Sequence, residues 1–172
     1  MRKLARVLLG LVVLIGFVWF KNQSSLSSQQ VTVLKVIDGD TIEVSLNGRE
    51  QRVRLIGVDT PETKDPRLVV QCFGTEASQY SKNKLEGKQI TLESDPYVAH
   101  YDKYQRLLAY VYLDGKNFNQ ELIEQGYAHE YTYDNQLYLY QADFKLSEEL
   151  ARFKNQGFWN EQTCGGNTKQ PA

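Results

Sequence analysis

The chain predicts an α+β fold: a five-stranded β-barrel flanked by three α-helices, with a further apolar helix at the N-terminus. Three observations lead there. β-rich segments are punctuated by Asp-Gly and Asn-Gly turns, later segments carry helical spacing, and the first twenty residues hold no acid. A length of 172 residues suits one domain with an appendage.

Val31 to Ile37, Thr41 to Leu46 and Gln51 to Val58 are rich in β-branched residues, and Asp38-Gly39-Asp40 and Asn47-Gly48 separate them. Such turns between such runs predict a three-strand meander. Thr75 to Leu85 has helical spacing, and Lys88 to Glu93 and Arg106 to Leu113 read as two more strands. Asn117 to Gln125 is a second helix stopped by Gly126, and Tyr138 to Asn155 a third that ends before Gly157. Five strands with helices after the third and the fifth resemble the OB-fold barrel, and a mixed core of about 130 residues suffices to fold alone. The expected organisation is a leader at 1–21, a linker at 22–30, the barrel domain at 31–160 and a C-terminal tail at 161–172.

Arg2, Lys3 and Arg6 make the leader's start basic, and Val7 to Phe20 is an unbroken apolar run of fourteen residues. As a helix it spans about 21 Å, short of the ~30 Å hydrocarbon core of a bilayer, which fits the core of a signal peptide. Counted from Leu4, with Arg6 snorkelling, it reaches the lower limit of a retained membrane anchor. Ser25-Leu26-Ser27 has small residues at a peptidase's spacing but no alanine, so both readings stay open. In either, the basic flank stays inside and the domain is expected outside the cytoplasm. The Ser- and Gln-rich stretch from Asn22 to Gln30 reads as a flexible linker.

Cys72 and Cys164 are the only cysteines, and an even count in an exported chain reads as one disulfide. Closing so long a loop is valued by chain entropy at roughly 4.6 kcal/mol, less any strain. Neither cysteine has a histidine nearby in the motifs, which argues against a thiol nucleophile. Charge is a constraint of its own. Without the leader the chain holds 16 bases against 21 acids, so binding a polyanion requires local clusters of cations, such as Lys64 and Arg67 or Lys103 and Arg106.

Chemistry concentrates in two acidic clusters, Asp38-Gly39-Asp40-Thr41 and Asp59-Thr60-Pro61-Glu62, with Arg54 between them and Lys103-Tyr104-Gln105-Arg106 further on. Asp40, Asp59 and the Thr60 carbonyl are oxygen donors of the kind hard divalent cations take, which favours Ca2+. His100 and His129 lack the spacing of a zinc pair. Arg54 and Arg106 could clamp a phosphoryl group that gains charge. Glu62 could position or deprotonate an attacking water, and with an ordinary pKa of about 4.3 it is a weak base at neutral pH.

These motifs resemble the staphylococcal nuclease (thermonuclease) family: Val36-Ile37-Asp38-Gly39-Asp40-Thr41, Arg54-Leu55, Val58-Asp59-Thr60-Pro61-Glu62-Thr63, Phe73-Gly74-Thr75-Glu76-Ala77-Ser78 and Asp102 to Val111, in order between Val31 and Trp159. The resemblance implies a Ca2+-dependent endonuclease and exonuclease acting on DNA and RNA, cleaving the 5′ P–O bond to leave 3′-phosphates. It implies Arg54, Glu62 and Arg106 as the catalytic trio, Asp40, Asp59 and Thr60 as metal ligands, and Lys103 and Tyr104 as phosphate contacts. Tyr131 and Tyr133 both remain open as the residue that stacks on the nucleotide, because the segment aligns only with a gap. Gln105 stands where the family pattern has glycine.

Each motif also has a plainer reading. Asp-Gly-Asp is a common hairpin turn, Thr-Pro-Glu a common helix start, and a strand arginine usually a solvated ion pair. Their joint presence in order favours catalysis. A binding module without catalysis and an envelope spacer are the competing classes, and both would tolerate losses from the acid and arginine set, which is complete here. Of eleven tyrosines most are expected in the core; Tyr131, Tyr133, Tyr138 and Tyr140 are candidates for stacking on single-stranded bases. A monomer is expected, with no protein partner implied.

Overall fold

A computed structural model of the chain describes residues 28–63 and 69–172. The leader, residues 22–27 of the linker, and Lys64 and Arg67 lie outside the described residues. Strands β1 (Ser28–Asp38), β2 (Thr41–Leu46) and β3 (Arg49–Leu55) form the meander, and the two-residue β4 (Val58–Asp59) follows a turn at Ile56-Gly57. Helix α1 (Gly74–Leu85) comes next, then β5 (Gln89–Glu93), β6 (Leu107–Leu113) and the short β7 (Lys116–Asn117). Helix α2 (Phe118–Glu124), β8 (His129–Glu130) and α3 (Gln141–Phe153) complete the order.

Five strands close the barrel. β1 serves two neighbours: Thr32 to Asp38 pair with β2, and Ser28 to Thr32 pair with β5. Register shifts between Val33 and Lys35 and between Val36 and Asp38 give the strand the bend this requires. β6 pairs antiparallel with β5 and, at its start, parallel with β3, in the register Val53–Leu107, Arg54–Leu108 and Leu55–Ala109. Val33, Ile42, Val44, Val53 and Val111 fill the interior at 1% exposure or less. This is the α+β OB-fold barrel that the strand count and turns predict.

The helices seal the barrel's side. Asn117 caps α2 by accepting from the Gln120 amide, and Phe118, Leu122 and Ile123 of α2 are buried in the core. Buried Asn119 accepts from the Val111 amide at 2.9 Å and donates to the Ile56 carbonyl at 2.9 Å. It thus ties β6 to the turn before β4, satisfying three polar groups that burial would otherwise leave costly.

Three elements differ notably in extent from the sequence reading. Ser28 to Gln30, expected in the linker, extend β1 against Thr91 to Glu93. The third strand stops at Leu55, because Gly57, at φ 74° and with a Cβ position 2.7 Å from the Tyr138 ring, turns the chain before β4. The last helix begins at Gln141 and ends at Phe153: the Leu139 amide donates to Asp95 at 2.7 Å, and Tyr138 is packed into the core.

The segment at 161–172 is tied down at several points. Cys164 is bonded to Cys72 with Cα atoms 6.0 Å apart, as the cysteine count predicts. The Cys72 amide donates to the Gln170 carbonyl at 2.8 Å, and the Ala172 amide to the Val70 carbonyl at 2.9 Å. Thr168 Oγ1 meets His129 Nε2 at 3.0 Å.

Candidate active site on the barrel wall

The β1–β2 hairpin turn carries the first acids. Gly39 is required there for space rather than for φ, since a Cβ would lie 2.7 Å from the Thr60 side chain. Thr60 can therefore close over Asp40: its amide and hydroxyl both donate to Asp40 Oδ2, at 3.0 and 3.1 Å. The Thr41 hydroxyl donates to Oδ1 at 3.0 Å.

Arg54, the residue before the end of β3, points at the same carboxylate. Its Nη2 lies 3.3 Å from Asp40 Oδ2 and 3.1 Å from Asp59 Oδ1, while Nη1 donates to the carbonyls of Leu55 at 2.9 Å and Val58 at 2.7 Å. The guanidinium is largely buried, and four fixed acceptors leave it little rotational freedom. Partial burial raises the Asp59 carboxyl above its ordinary value, the Asp40 charge adds to this, and Arg54 opposes both. Two carboxylates competing for one guanidinium suit a site that would gain from a second cation.

Glu62 follows three residues after Asp59. Its amide donates to Gln71 Oε1 at 2.9 Å and its carbonyl accepts from the Gln71 amide at 3.0 Å. Its side chain is near enough to Asp38 to help raise that carboxyl. Burial pushes the Asp38 carboxyl up to about 6, against hydrogen bonds from Thr63 and Gly39 and with added repulsion from Asp40.

Across the barrel closure stands Arg106. Its Nε is 2.6 Å from Asp102 Oδ2, and its guanidinium lies 5.4 Å from the centre of the Tyr104 ring. Lys103 Nζ stands 5.1 Å from the centre of the same ring. Arg54, Asp59, Lys103, Tyr104, Arg106, Tyr131 and Tyr133 all line one cleft of about 510 Å³. Asp40 and Thr60 are buried beside Arg54 and Asp59. Tyr131 and Tyr133 have ring centres 6.4 Å apart, so the cleft admits either as a stacking surface. Tyr138 and Tyr140 are committed inward, through hydroxyl contacts to Glu130 at 2.9 Å and to Tyr112 at 3.0 Å.

Sequence reasoning missed several members. Asp102 fixes Arg106; it opens the quoted motif Asp102 to Val111, but the sequence assigned it no role of its own. Gln71 acts on Glu62 through tertiary contacts that no local pattern announces, whereas Asp38 stood in the first acidic cluster without an assigned role. Among the described residues no group of three or more His, Cys, Asp or Glu side chains forms a metal cage. Asp40, Asp59 and Thr60 nevertheless fit a hard cation that keeps part of its water, because Thr60 and Arg54 hold the two carboxylates side by side.

Residues 52–161 match the family described as "Staphylococcal nuclease homologue". The chain is 42% identical over 143 residues to "Endonuclease YncB" of Bacillus subtilis (strain 168), covering 82% of this chain and 65% of that protein. It is 39% identical over 137 residues to "Thermonuclease" of Staphylococcus hyicus, covering 80% of this chain and 79% of that one. Against "SPbeta prophage-derived endonuclease YokF" of Bacillus subtilis (strain 168) it is 41% identical over 133 residues, 76% of this chain and 44% of that one. It thus spans less than two thirds of both Bacillus relatives. With the family match across more than half of its length, the chain belongs to the staphylococcal nuclease family.

Proposed function

We propose that this protein is a Ca2+-dependent nuclease that hydrolyses phosphodiester bonds of DNA and RNA at the 5′ P–O bond, leaving 3′-phosphate ends, by endo- and exonucleolytic cuts. The observation that carries it is that Arg54 and Arg106 line one cleft, with Asp40 and Asp59 beside the first arginine. Two guanidiniums facing one space bind the oxygens of a single phosphoryl group and stabilise the charge that builds on it during in-line attack. Names of relatives that contain "endonuclease" and "thermonuclease" support the same reading.

Asp40, Asp59 and the Thr60 carbonyl would hold Ca2+, which when bound polarises a phosphoryl oxygen and offsets carboxylate repulsion. Glu62 orients the attacking water, or deprotonates it. Lys103 and Tyr104 hold a flanking phosphate, and Tyr131 or Tyr133 stacks on a base, which favours single strands. The apolar leader and the disulfide support a location outside the cytoplasm, as a secreted domain or one anchored to the membrane by residues 1–21. A monomer suffices for this site, because every group named comes from one chain.

Digestion of single-stranded DNA by protein lacking residues 1–21, with Ca2+ and then with chelator, tests the proposal. Activity is expected with Ca2+, none with chelator, and losses of at least about 100-fold in Glu62→Gln and Arg106→Ala. No digestion by the parent protein would favour a module that only binds.

A further inference from the structure

Both polar backbone groups of Glu62 are held by one residue, Gln71, through the 2.9 Å bond to its side-chain oxygen and the 3.0 Å bond from its amide. Gln71 is itself held from the other side. It forms an antiparallel bridge with Pro171, and both chain neighbours bond to the same C-terminal segment, Val70 to Ala172 and Cys72 to Gln170. The Cys72–Cys164 disulfide fastens that segment covalently, and Gln170 Nε2 donates to the Cys164 carbonyl at 3.3 Å. A continuous line of contacts thus runs from the last residues of the chain to Glu62.

We infer that Gln71 is a positioning residue for Glu62, and that the disulfide-fastened C-terminal segment keeps Gln71 in place, so that hydrolysis depends on a closed Cys72–Cys164 bond. The inference rests on the role proposed for Glu62. A carboxylate that must aim a water along one line tolerates little displacement: a misplacement of about 1 Å can cost on the order of 100-fold in rate. Glu62 lies on a connection between elements, where backbone bonds rather than strand pairing must fix it. A dithiol reductant opens the disulfide by thiolate attack on one sulfur; the displaced thiolate takes up a proton, and the mixed disulfide resolves to release oxidised reductant and a second protein thiol. The clasp is then left with non-covalent contacts only. The protein would be active in an oxidising compartment and weak in a reducing one.

The test measures kcat and KM on single-stranded DNA with saturating Ca2+ for the parent protein, Gln71→Leu, Gln71→Glu, Cys72→Ser/Cys164→Ser and Glu62→Gln, below the melting temperature of each. Gln71→Leu is expected to lower kcat about 10-fold or more with KM within about 2-fold. Gln71→Glu, which keeps an acceptor oxygen, should stay within about 3-fold of the parent. The double cysteine variant and the dithiol-treated parent should show the same fall in kcat, and dithiol should leave the double variant unchanged. Parent-like kcat in Gln71→Leu, or a fall that follows the unfolded fraction in thermal melts, would overturn the inference while leaving Glu62 in its role. Parent-like turnover in Glu62→Gln would overturn that role, and the inference with it.

Discussion

Asp102 holds Arg106 twice: Oδ2 takes the guanidinium Nε at 2.6 Å, and Oδ1 accepts the Arg106 amide at 2.9 Å. One carboxylate therefore fixes both the charged head and the backbone that carries it. Partial burial would raise the Asp102 carboxyl, but hydrogen bonds from Arg106 and Tyr104 outweigh it and leave the group below its ordinary value. Asp102→Ala should release the Arg106 head and lower kcat/KM by about 10-fold or more. Steady-state kinetics on single-stranded DNA check this, and unchanged kcat/KM would show that Arg106 needs no partner.

Gln105 occupies the turn before Arg106 at φ 62°, a left-handed conformation that costs a side-chain-bearing residue of order 1 kcal/mol. Its amide donates to the Asp102 carbonyl at 3.0 Å, so the turn is set by the same segment that sets Arg106. Gln105→Gly should raise stability by about 0.5–1 kcal/mol, read as a higher urea midpoint at constant slope. A lower midpoint would mean that the 3.3 Å bond from Gln51 to the Gln105 carbonyl depends on the side chain.

Glu148 bonds His129 at 3.2 Å and Arg152 at 3.4 Å. Burial alone would raise its carboxyl, but the hydrogen bond from His129 and the charge of Arg152 more than offset that, so the folded value lies below the ordinary one. The unfolded chain then takes up the proton first as pH falls. The pair accordingly adds stability above about pH 4.5 and loses it as pH drops below that towards the folded value. Glu148→Gln should be destabilised relative to the parent at pH 7, with the gap narrowing by pH 3. Melts at both pH values decide it; a gap that does not change would assign the effect to packing.

Two cleft arginines are already paired with carboxylates, and the domain carries an excess of acids. Binding of single-stranded DNA should therefore be weaker than for a strongly basic relative, and what binding there is should rest on the few local cations of the cleft and so depend on salt. Affinity measured from low to physiological ionic strength should fall steeply, and a flat titration would contradict this.

What was legible in the sequence follows from what leaves a pattern. β2 shows alternating burial and a turn at each end, and its observed range, Thr41–Leu46, is the predicted one. Ser28 to Gln30 pair through their backbones with every side chain exposed, so no apolar period marks them as strand. β4 and β8, two residues each, are too short to have a period. At the site, Arg54, Asp59 and Arg106 were visible as motifs and meet in one cleft. Gln71, the role of Asp102 and the anchored C-terminal segment were not: a Gly- and Gln-containing tail looks loose until Cys72 and His129 bind it.

The parallel pairing of β3 with β6 places Arg54 opposite Leu108, two residues beyond Arg106. The two guanidiniums therefore share a cleft only once segments more than fifty residues apart have met, the kind of distant contact that chains make slowly. For the proposed activity, cutting would thus be an endpoint of folding. Newly made or partly unfolded molecules, with the seam still open, would lack the assembled clamp, which would protect the nucleic acid of the cell that makes them until β6 is in register with β3.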